Sequence, residues 1–287
     1  MKKLVIGYLW SGNKPGKDEK IFLKLAKEKG IKLIMINTIK DIDENALEKK
    51  LKGCKLVFNN TAEDCALEYV KTLEEWGKKV IDSSESYYYT EDKWLFFLKC
   101  RENRIPTPDT ILLCENINFA KKELKKFNRW PVILKRVEGT CGEFVKMAQN
   151  MKEADRALKK LWKKSVEKQP LIAQEFIDSP SYRVTLIGRK IVQTALKQNK
   201  SGWKATGIYA KKFDKFKVNH KLKKLVKKIR KVSKIKVCGI DFVKKGKKWL
   251  VLEVNAQPAF DFFEDEREKL ICLTLKLLIK EAKKIRR

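Results

Sequence analysis

In the stretch CGIDFVKKGKKWLVLEVNAQP, residues 238–258, a largely apolar hairpin carries an acid in each arm. Asp241 sits in GIDFV, Glu253 in LEVNA, and Asn255 two residues further on. Side chains alternate along a strand, so Glu253 and Asn255 project from one face. The turn KKGKK (244–248) folds the first arm back on the second and can bring Asp241 beside that pair. Two carboxylates and an amide oxygen on one face suit a hard divalent cation such as Mg²⁺, which takes oxygen ligands and keeps waters or substrate phosphates. The plainer alternative is a strand end whose acids drift into solvent, and the hairpin alone does not separate the two.

A second stretch, PVILKRVEGTCGEF (131–144), delivers Lys135 on an apolar strand and follows it with a turn containing Gly139 and Gly142. Small residues let backbone N–H groups close on phosphate oxygens, and a lysine on the adjoining strand supplies a compact positive charge. An ordinary glycine hairpin between two strands has the same pattern. LIAQEFI (171–177), followed by SPSYRVTLIG, reads as a sheet edge where a flat base could stack and meet backbone groups.

Composition narrows the chemistry further. His220 is the only histidine, which excludes Ser-His-Asp, Cys-His and histidine-metal sites, so any catalysis must run on Lys, Arg and carboxylates. The seven cysteines are scattered and never form C-x-x-C, arguing for reduced thiols in a cytoplasmic protein and against a zinc site or disulfide frame. No apolar run approaches 18 residues, so no membrane association is expected. The start MKKLVIGYLW reads as a first strand, not a signal peptide. The net charge of +31 is unevenly placed, and residues 211–250 hold 17 basic residues against Asp214 and Asp241. Such a field concentrates anionic partners: nucleic acid, nucleotides or acidic peptides. A general lysine bias, 56 Lys to 11 Arg, is the competing explanation.

The elements that must position these residues form two patterns. Over the first 90 residues, strands at 4–10, 32–37, 55–60 and 78–82 alternate with helical segments, which implies a parallel sheet with crossover helices. No G-x-G-x-x-G follows the first strand. A helix over 90–103, with Thr90 as its cap, leads into IPTPDTILL, whose prolines enforce an extended crossing. Beyond it, strands at 131–137, 144–148 and 171–177, a helix at 151–164, a basic helix at 219–233 and a final helix over 264–284 read as antiparallel sheets with helices on one side.

The order of EDKWLFFLKCRENRIPTP, PVILKRVEGTCG, IAQEFI, YRVTLIG, CGIDFV and LEVNAQP resembles the ATP-grasp superfamily, and most closely its RimK-like amino-acid (glutamate) ligases. The resemblance covers essentially the whole chain. It implies an ATP-grasp fold, of α/β and α+β class, with an N-terminal Rossmann-like pre-ATP-grasp domain. The domains expected are 1–88 for that α/β unit, 89–106 for a helix and connector, 107–178 for the small lobe and 179–287 for the C-terminal lobe. The implied reaction phosphorylates a carboxylate with ATP and lets an amine attack the acylphosphate, forming an amide. The substrates so implied are ATP, a carboxylate acceptor of polar, anionic character and an amino acid such as glutamate. A homo-oligomer is expected.

Carried over by resemblance, Lys93 and Lys135 match the two phosphate lysines, and Gly139, Thr140 and Gly142 the loop over the phosphates. Gln174, Glu175, Phe176 and Ile177 match the hinge that holds adenine. Asp178 is taken to reach the ribose, because Ser181 stands where the family usually has an acid. Arg183, Lys197 and Lys204 match basic catalytic positions. Asp241, Glu253 and Asn255 match the ligands of Mg²⁺, with two ions expected and Mn²⁺ as the alternative metal. Phe144, Thr206 and Ala259 depart from the pattern and bear on substrate identity. Cys141 reads as a small filler before a redox switch, and Trp203 as packing or acceptor shaping before a base-stacking platform. The rival function is a nucleic-acid- or ribosome-associated binding protein on a degenerate ATP-grasp frame.

Overall fold

The computed structural model of the chain describes residues 3–40, 43–61, 65–139, 142, 144–163, 169–198, 203 and 212–285. Four parallel strands come first: β1 (Val5–Trp10), β2 (Lys32–Asn37), β3 (Leu56–Asn59) and β4 (Lys79–Ile81), in the spatial order β2-β1-β3-β4. Their crossovers are α1 (Lys17–Glu28), α2 (Glu44–Lys50) and α3 (Ala66–Glu75). Alternation along β1 splits its side chains between two cores. Ile6 and Tyr8 pack with Phe22, Leu25 and Ala26 of α1, while Leu9 packs with Leu47, Val70 and Leu73 of α2 and α3.

The helix expected over 90–103 is instead two, α4 (Ser84–Glu91) and α5 (Lys93–Glu102). Thr90 does not cap: its hydroxyl donates back to the Tyr87 carbonyl at 2.9 Å. Asp92 is the cap, with extended backbone and a carboxylate accepting from the Leu95 N–H at 2.8 Å. Its carboxylate satisfies an orphan first-turn donor, which a threonine still inside the preceding helix cannot reach. The break restarts the chain at Lys93.

The second sheet comprises β5 (Thr110–Leu113), β6 (Val132–Arg136), β7 (Val145–Ala148) and β8 (Leu171–Glu175), ordered β5-β8-β6-β7 and antiparallel throughout. Helices α6 (Ile117–Phe127) and α7 (Met151–Lys163) cover one face, with Ala120, Leu124, Leu158 and Leu161 against Leu134 and Ala173. Helix α6 is not among the elements expected from the sequence. Its signals are local and polar: Asn116 accepts from the N–H groups of Asn118 and Phe119, and Asn128 ends it in the left-handed region at φ 46°.

The third sheet holds β9 (Ser181–Ile187), β10 (Lys190–Gln198), β11 (Lys212–Asp214), β12 (Val237–Lys245) and β13 (Lys248–Ala256), ordered β11-β10-β9-β12-β13 and antiparallel. One face packs on α8 (His220–Ser233) and on Phe96 and Cys100 of α5. The last helix, α9 (Glu264–Ile285), returns to the first sheet. There Leu270, Ile271, Leu275 and Leu278 share one core with Ile6, Tyr8, Ile187 and Val237. Polar contacts add to this junction. Asp82 accepts from the N–H groups of Lys236 and Val237 at 2.6 and 3.0 Å, and burial pushes its carboxyl up to about 7 against those donors. Among the described residues, no helix is long and apolar enough to cross a membrane.

Candidate active site

Strand alternation divides β9 and β12 between two environments. Val184, Leu186, Ile240 and Phe242 lie in the core with α8. Ser181, Arg183 and Asp241, with Lys197 of β10, turn the other way and line a cavity of about 640 Å³. Across it stand Ile133 and Lys135 of β6, Gln174 and Glu175 of β8, and Phe176 and Ile177 beyond them. The cavity therefore lies between the second and third sheets, with Lys93, Gly139 and Gly142 also on its wall.

Its floor is the hairpin. Asp241 lies opposite Glu253 in the β12–β13 register, with a bulge just after Asp241. The Asn255 amide nitrogen is 3.4 Å from an oxygen of each carboxylate. Arg183 reaches Asp241 with a planar fork, Nε to Oδ1 and Nη2 to Oδ2, both at 2.7 Å. Lys197, almost wholly buried, donates to Oδ1 at 2.9 Å. Two-point guanidinium–carboxylate contacts are strong and fix geometry. Burial alone would raise the Asp241 carboxyl, but the charges of Arg183 and Lys197 outweigh it and hold Asp241 well below the usual carboxylate range. Desolvation lowers Lys197 in turn, with Asp241 opposing.

Gly239 makes room for this arrangement. A Cβ there would lie 2.8 Å from Arg183 Cδ and 2.9 Å from Cζ, and closer still to Nη1. Only a residue without a side chain lets the guanidinium lie flat along β12 and meet Asp241 two residues on. The Phe262 ring lies beside both cations, its centroid 5.7 Å from Arg183 Cζ and 6.0 Å from Lys197 Nζ, and Phe213 meets it edge-on at 4.9 Å. Those distances suit cation–π attraction.

Across the cavity, the buried Lys135 ammonium donates to Gln174 Oε1 at 3.0 Å, and Gln174 Nε2 donates to Thr110 Oγ1 at 2.8 Å. Desolvation pushes Lys135 down to about 8; Glu253 opposes the shift and Lys93 adds to it. Lys93 donates to the carbonyls of Gly139 and Val137 at 2.7 and 3.3 Å. Gly139 has φ +124°, a region that favours glycine.

The structure thus brings Lys93, Lys135, Gly139, Gly142, Gln174, Glu175, Phe176, Ile177, Arg183, Lys197, Asp241, Glu253 and Asn255 onto one cavity. Asp178 is not on it: that residue is exposed, and Ser179 and Ser181 line the wall instead. The chain bends at the next residue, Ser179. The Glu175 carboxylate pairs with Lys245. Thr140, Lys204, Cys141 and Thr206 lie outside the described residues. Gly239, Thr110 and the Phe213–Phe262 pair escaped the sequence reading. Gly239 alone carried a signal, as a glycine inside an apolar strand, which marks close approach of another group.

Among the described residues, no three His, Cys, Asp or Glu side chains cluster as a metal site by themselves. The hairpin supplies two carboxylates and an amide instead. A carboxylate has about four lone-pair sites, so Asp241 keeps acceptor capacity beside its cations, and Glu253 and Asn255 face the same space. That donor set fits a hard divalent ion. Lys93, Lys135, Arg183 and Lys197 line the same cavity as the two carboxylates of the floor, which leaves it suited to a polyanion with its metal.

A nucleotide-sized cavity between two antiparallel sheets, with lysines from one wall converging on an Asp/Glu-x-Asn floor in the other, defines an ATP-grasp ligase. The family model for the RimK-like ATP-grasp domain matches residues 90–278, and the chain belongs to that family. A coenzyme gamma-F420-2:alpha-L-glutamate ligase of Methanocaldococcus jannaschii is 28% identical over 206 residues, 69% of each chain. A RimK domain ATP-grasp protein of Sphaerobacter thermophilus superposes with TM-score 0.74 at 13% identity, covering 95% of this chain and 97% of that one. The ATP-grasp ligase PsnB, complexed with minimal precursor, Mg and ADP, superposes with TM-score 0.68 at 14% identity over 97% and 98% of the two chains. The protein is an ATP-dependent ligase that joins a carboxylate to an amine.

Proposed function

We propose that this ligase adds an amino acid such as glutamate, through its amine, to a polar, anionic acceptor whose carboxylate it first activates with ATP. The observation that carries the placement is the convergence of Lys93, Lys135, Arg183 and Lys197 with Asp241, Glu253 and Asn255 on one cavity. The glutamate reading is supported by the similarity to a glutamate ligase. In this reading adenine lies along 174–177, its edge meeting backbone groups of β8. The polyphosphate runs toward Lys93 and Lys135, beneath the turn that carries Gly139 and Gly142.

Asp241, Glu253 and Asn255 would hold Mg²⁺. When bound, the ion neutralises phosphate charge and orients the chain of phosphates for in-line transfer. The residues then divide the work. Lys135, desolvated and fixed by Gln174, presents its charge to the transferring phosphoryl group. Arg183 and Lys197 face the acceptor end, where the acylphosphate forms as the bond from the γ-phosphorus to ADP breaks. The amine nitrogen then bonds to the acyl carbon and loses a proton to solvent, while the acyl carbon–oxygen bond breaks and inorganic phosphate leaves. Phosphoryl transfer of this kind is mainly positioning and charge stabilisation, and it needs no histidine.

The test is ADP release by the full chain with Mg–ATP, screened over amino acids paired with acidic peptides and acidic small molecules, with product masses recorded. Glutamate-dependent ADP release with a product one glutamyl residue heavier is expected. ADP release that depends on another amine and never on glutamate would reject the amine assignment.

A further inference from the structure

We propose that the exposed face of α8 binds nucleic acid through the phosphate backbone, on the opposite side of the third sheet from the cavity. Helix α8 is HKLKKLVKKIRKVS. Leu222, Val226, Ile229 and Ser233 are buried against the sheet, whereas Lys221, Lys223, Lys224, Lys227, Lys228 and Lys231 are exposed. None of these six lysines takes part in an ion pair among the described residues; Lys228 alone has a partner, the Arg104 carbonyl at 3.4 Å.

A general lysine bias does not produce this distribution. Each of the other eight described helices carries at least one acid, and α8 carries none. The lysines also stand where they cost stability. Lys223–Lys227, Lys224–Lys228 and Lys227–Lys231 are like-charge pairs four residues apart, which destabilise a helix. Lys221 and Lys223 sit in the first turn, where the helix dipole disfavours cations. A helix that merely covered the sheet would gain from acids at these positions, as α1 does with Asp18 and Glu19 in its first turn. A bound polyanion relieves that repulsion.

The chemistry of the face selects among polyanions. Lysine is depleted in protein–protein interfaces, whose centres need apolar or aromatic anchors, and the outward face of α8 has none. A membrane-surface helix inserts its apolar side, but that side of α8 is buried in the core. Phosphate-backbone binding requires only the cations, because release of condensed counterions drives it. Fourteen residues span about 21 Å, long enough for several successive phosphates of a strand to lie along the face.

The test is fluorescence anisotropy of the full chain with a labelled single-stranded RNA, over a range of salt, with polyglutamate peptide and anionic vesicles as separate arms. RNA should bind, with affinity falling on a log–log salt plot by about 0.7 per phosphate neutralised. In the triple variant Lys224→Glu/Lys227→Glu/Lys231→Glu, RNA affinity should fall at least about tenfold and the salt slope should shrink by about two, with ATP turnover unchanged. Should charge reversal prevent folding, the triple Gln variant replaces it, with the same expectation on a smaller scale. No RNA binding by the parent chain, equal binding by the variant, or binding of polyglutamate or vesicles in place of RNA would each overturn the proposal.

Discussion

On one face of the five-stranded sheet, Arg183, Lys197 and Asp241 hold their charges out of water and against one another. On the other, α8 displays six exposed lysines without an ion-pair partner among the described residues. Lysine stands on both faces, and its surroundings differ. Within the cavity each charge has been desolvated, so its worth depends on a partner a few ångströms away. On α8 each charge keeps its water, and removing one should change little. Substitutions on the two faces should therefore differ in kind as well as size.

The largest effect is expected at Asp241. Asp241→Asn leaves Arg183 and Lys197 buried without their counter-charge, and breaking a buried pair from one side costs about 3–5 kcal/mol. Denaturant unfolding should show that loss together with abolished turnover. Glu253→Gln is the paired control, because Glu253 has no buried cation bonded to it among the described residues. It should abolish turnover while its melting temperature stays near that of the parent chain. A Glu253→Gln protein that makes ADP at the parent rate with Mg²⁺ would remove the hairpin from the metal site.

Next comes Lys135→Ala. Removing a concentrated charge from a water-poor site should lower turnover by roughly two orders of magnitude or more. The pH dependence sharpens the point. Burial lowers the Lys135 ammonium to about 8 from its usual 10.5, so kcat/KM for ATP should fall as pH rises through about 8. That limb should vanish in Lys135→Ala. Stability should move the opposite way. Between 8 and 10.5 the unfolded chain binds this proton and the folded chain does not, so the folding penalty is full below 8 and is relieved as pH rises.

Gly239→Ala follows, because it acts only through Arg183. The added methyl group should displace the guanidinium from Asp241 and lower turnover by about tenfold or more, as lost two-point contacts do. In an Arg183→Ala background the same change should cost almost nothing. A penalty of equal size in both backgrounds would mean the glycine serves the strand and not the arginine.

These residues also show where sequence is informative. Glu253 and Asn255 could be placed on one face because strand side chains alternate, and that period needs nothing beyond the local chain. Lys135 at the end of an apolar strand was readable for the same reason. The two-sheet placement of Lys135 against Glu253 was reached only through family resemblance. Gly239 was missed because its local signal, a glycine inside an apolar strand, does not say which group approaches, and that group is Arg183, 56 positions earlier. The helix break at Asp92 was missed because Thr90 and Asp92 are both acceptable caps, and the choice rests on which residue is free to turn outward. Asp178 lies off the cavity, against expectation, because the sequence cannot show which way a loop before Pro180 turns.

The smallest effect belongs to α8. Lys227→Glu replaces two like-charge pairs, Lys223–Lys227 and Lys227–Lys231, by two of opposite sign. Each pair is worth roughly 0.2–0.5 kcal/mol of either sign, so each exchange is worth roughly 0.4–1 kcal/mol, and Glu preceding Lys by four residues is the favourable order. The variant should therefore melt slightly higher than the parent at low salt, and the difference should shrink as salt is added. ADP production should be unchanged, since α8 lies behind the hydrophobic layer of Val184, Ile240 and Phe242 and its lysines do not reach the cavity. A drop in turnover would mean the two faces are coupled through the sheet. A drop in stability would mean Lys227 has an attractive partner that offsets the repulsion of its helical neighbours, and the electrostatic contrast between the two faces would then be smaller.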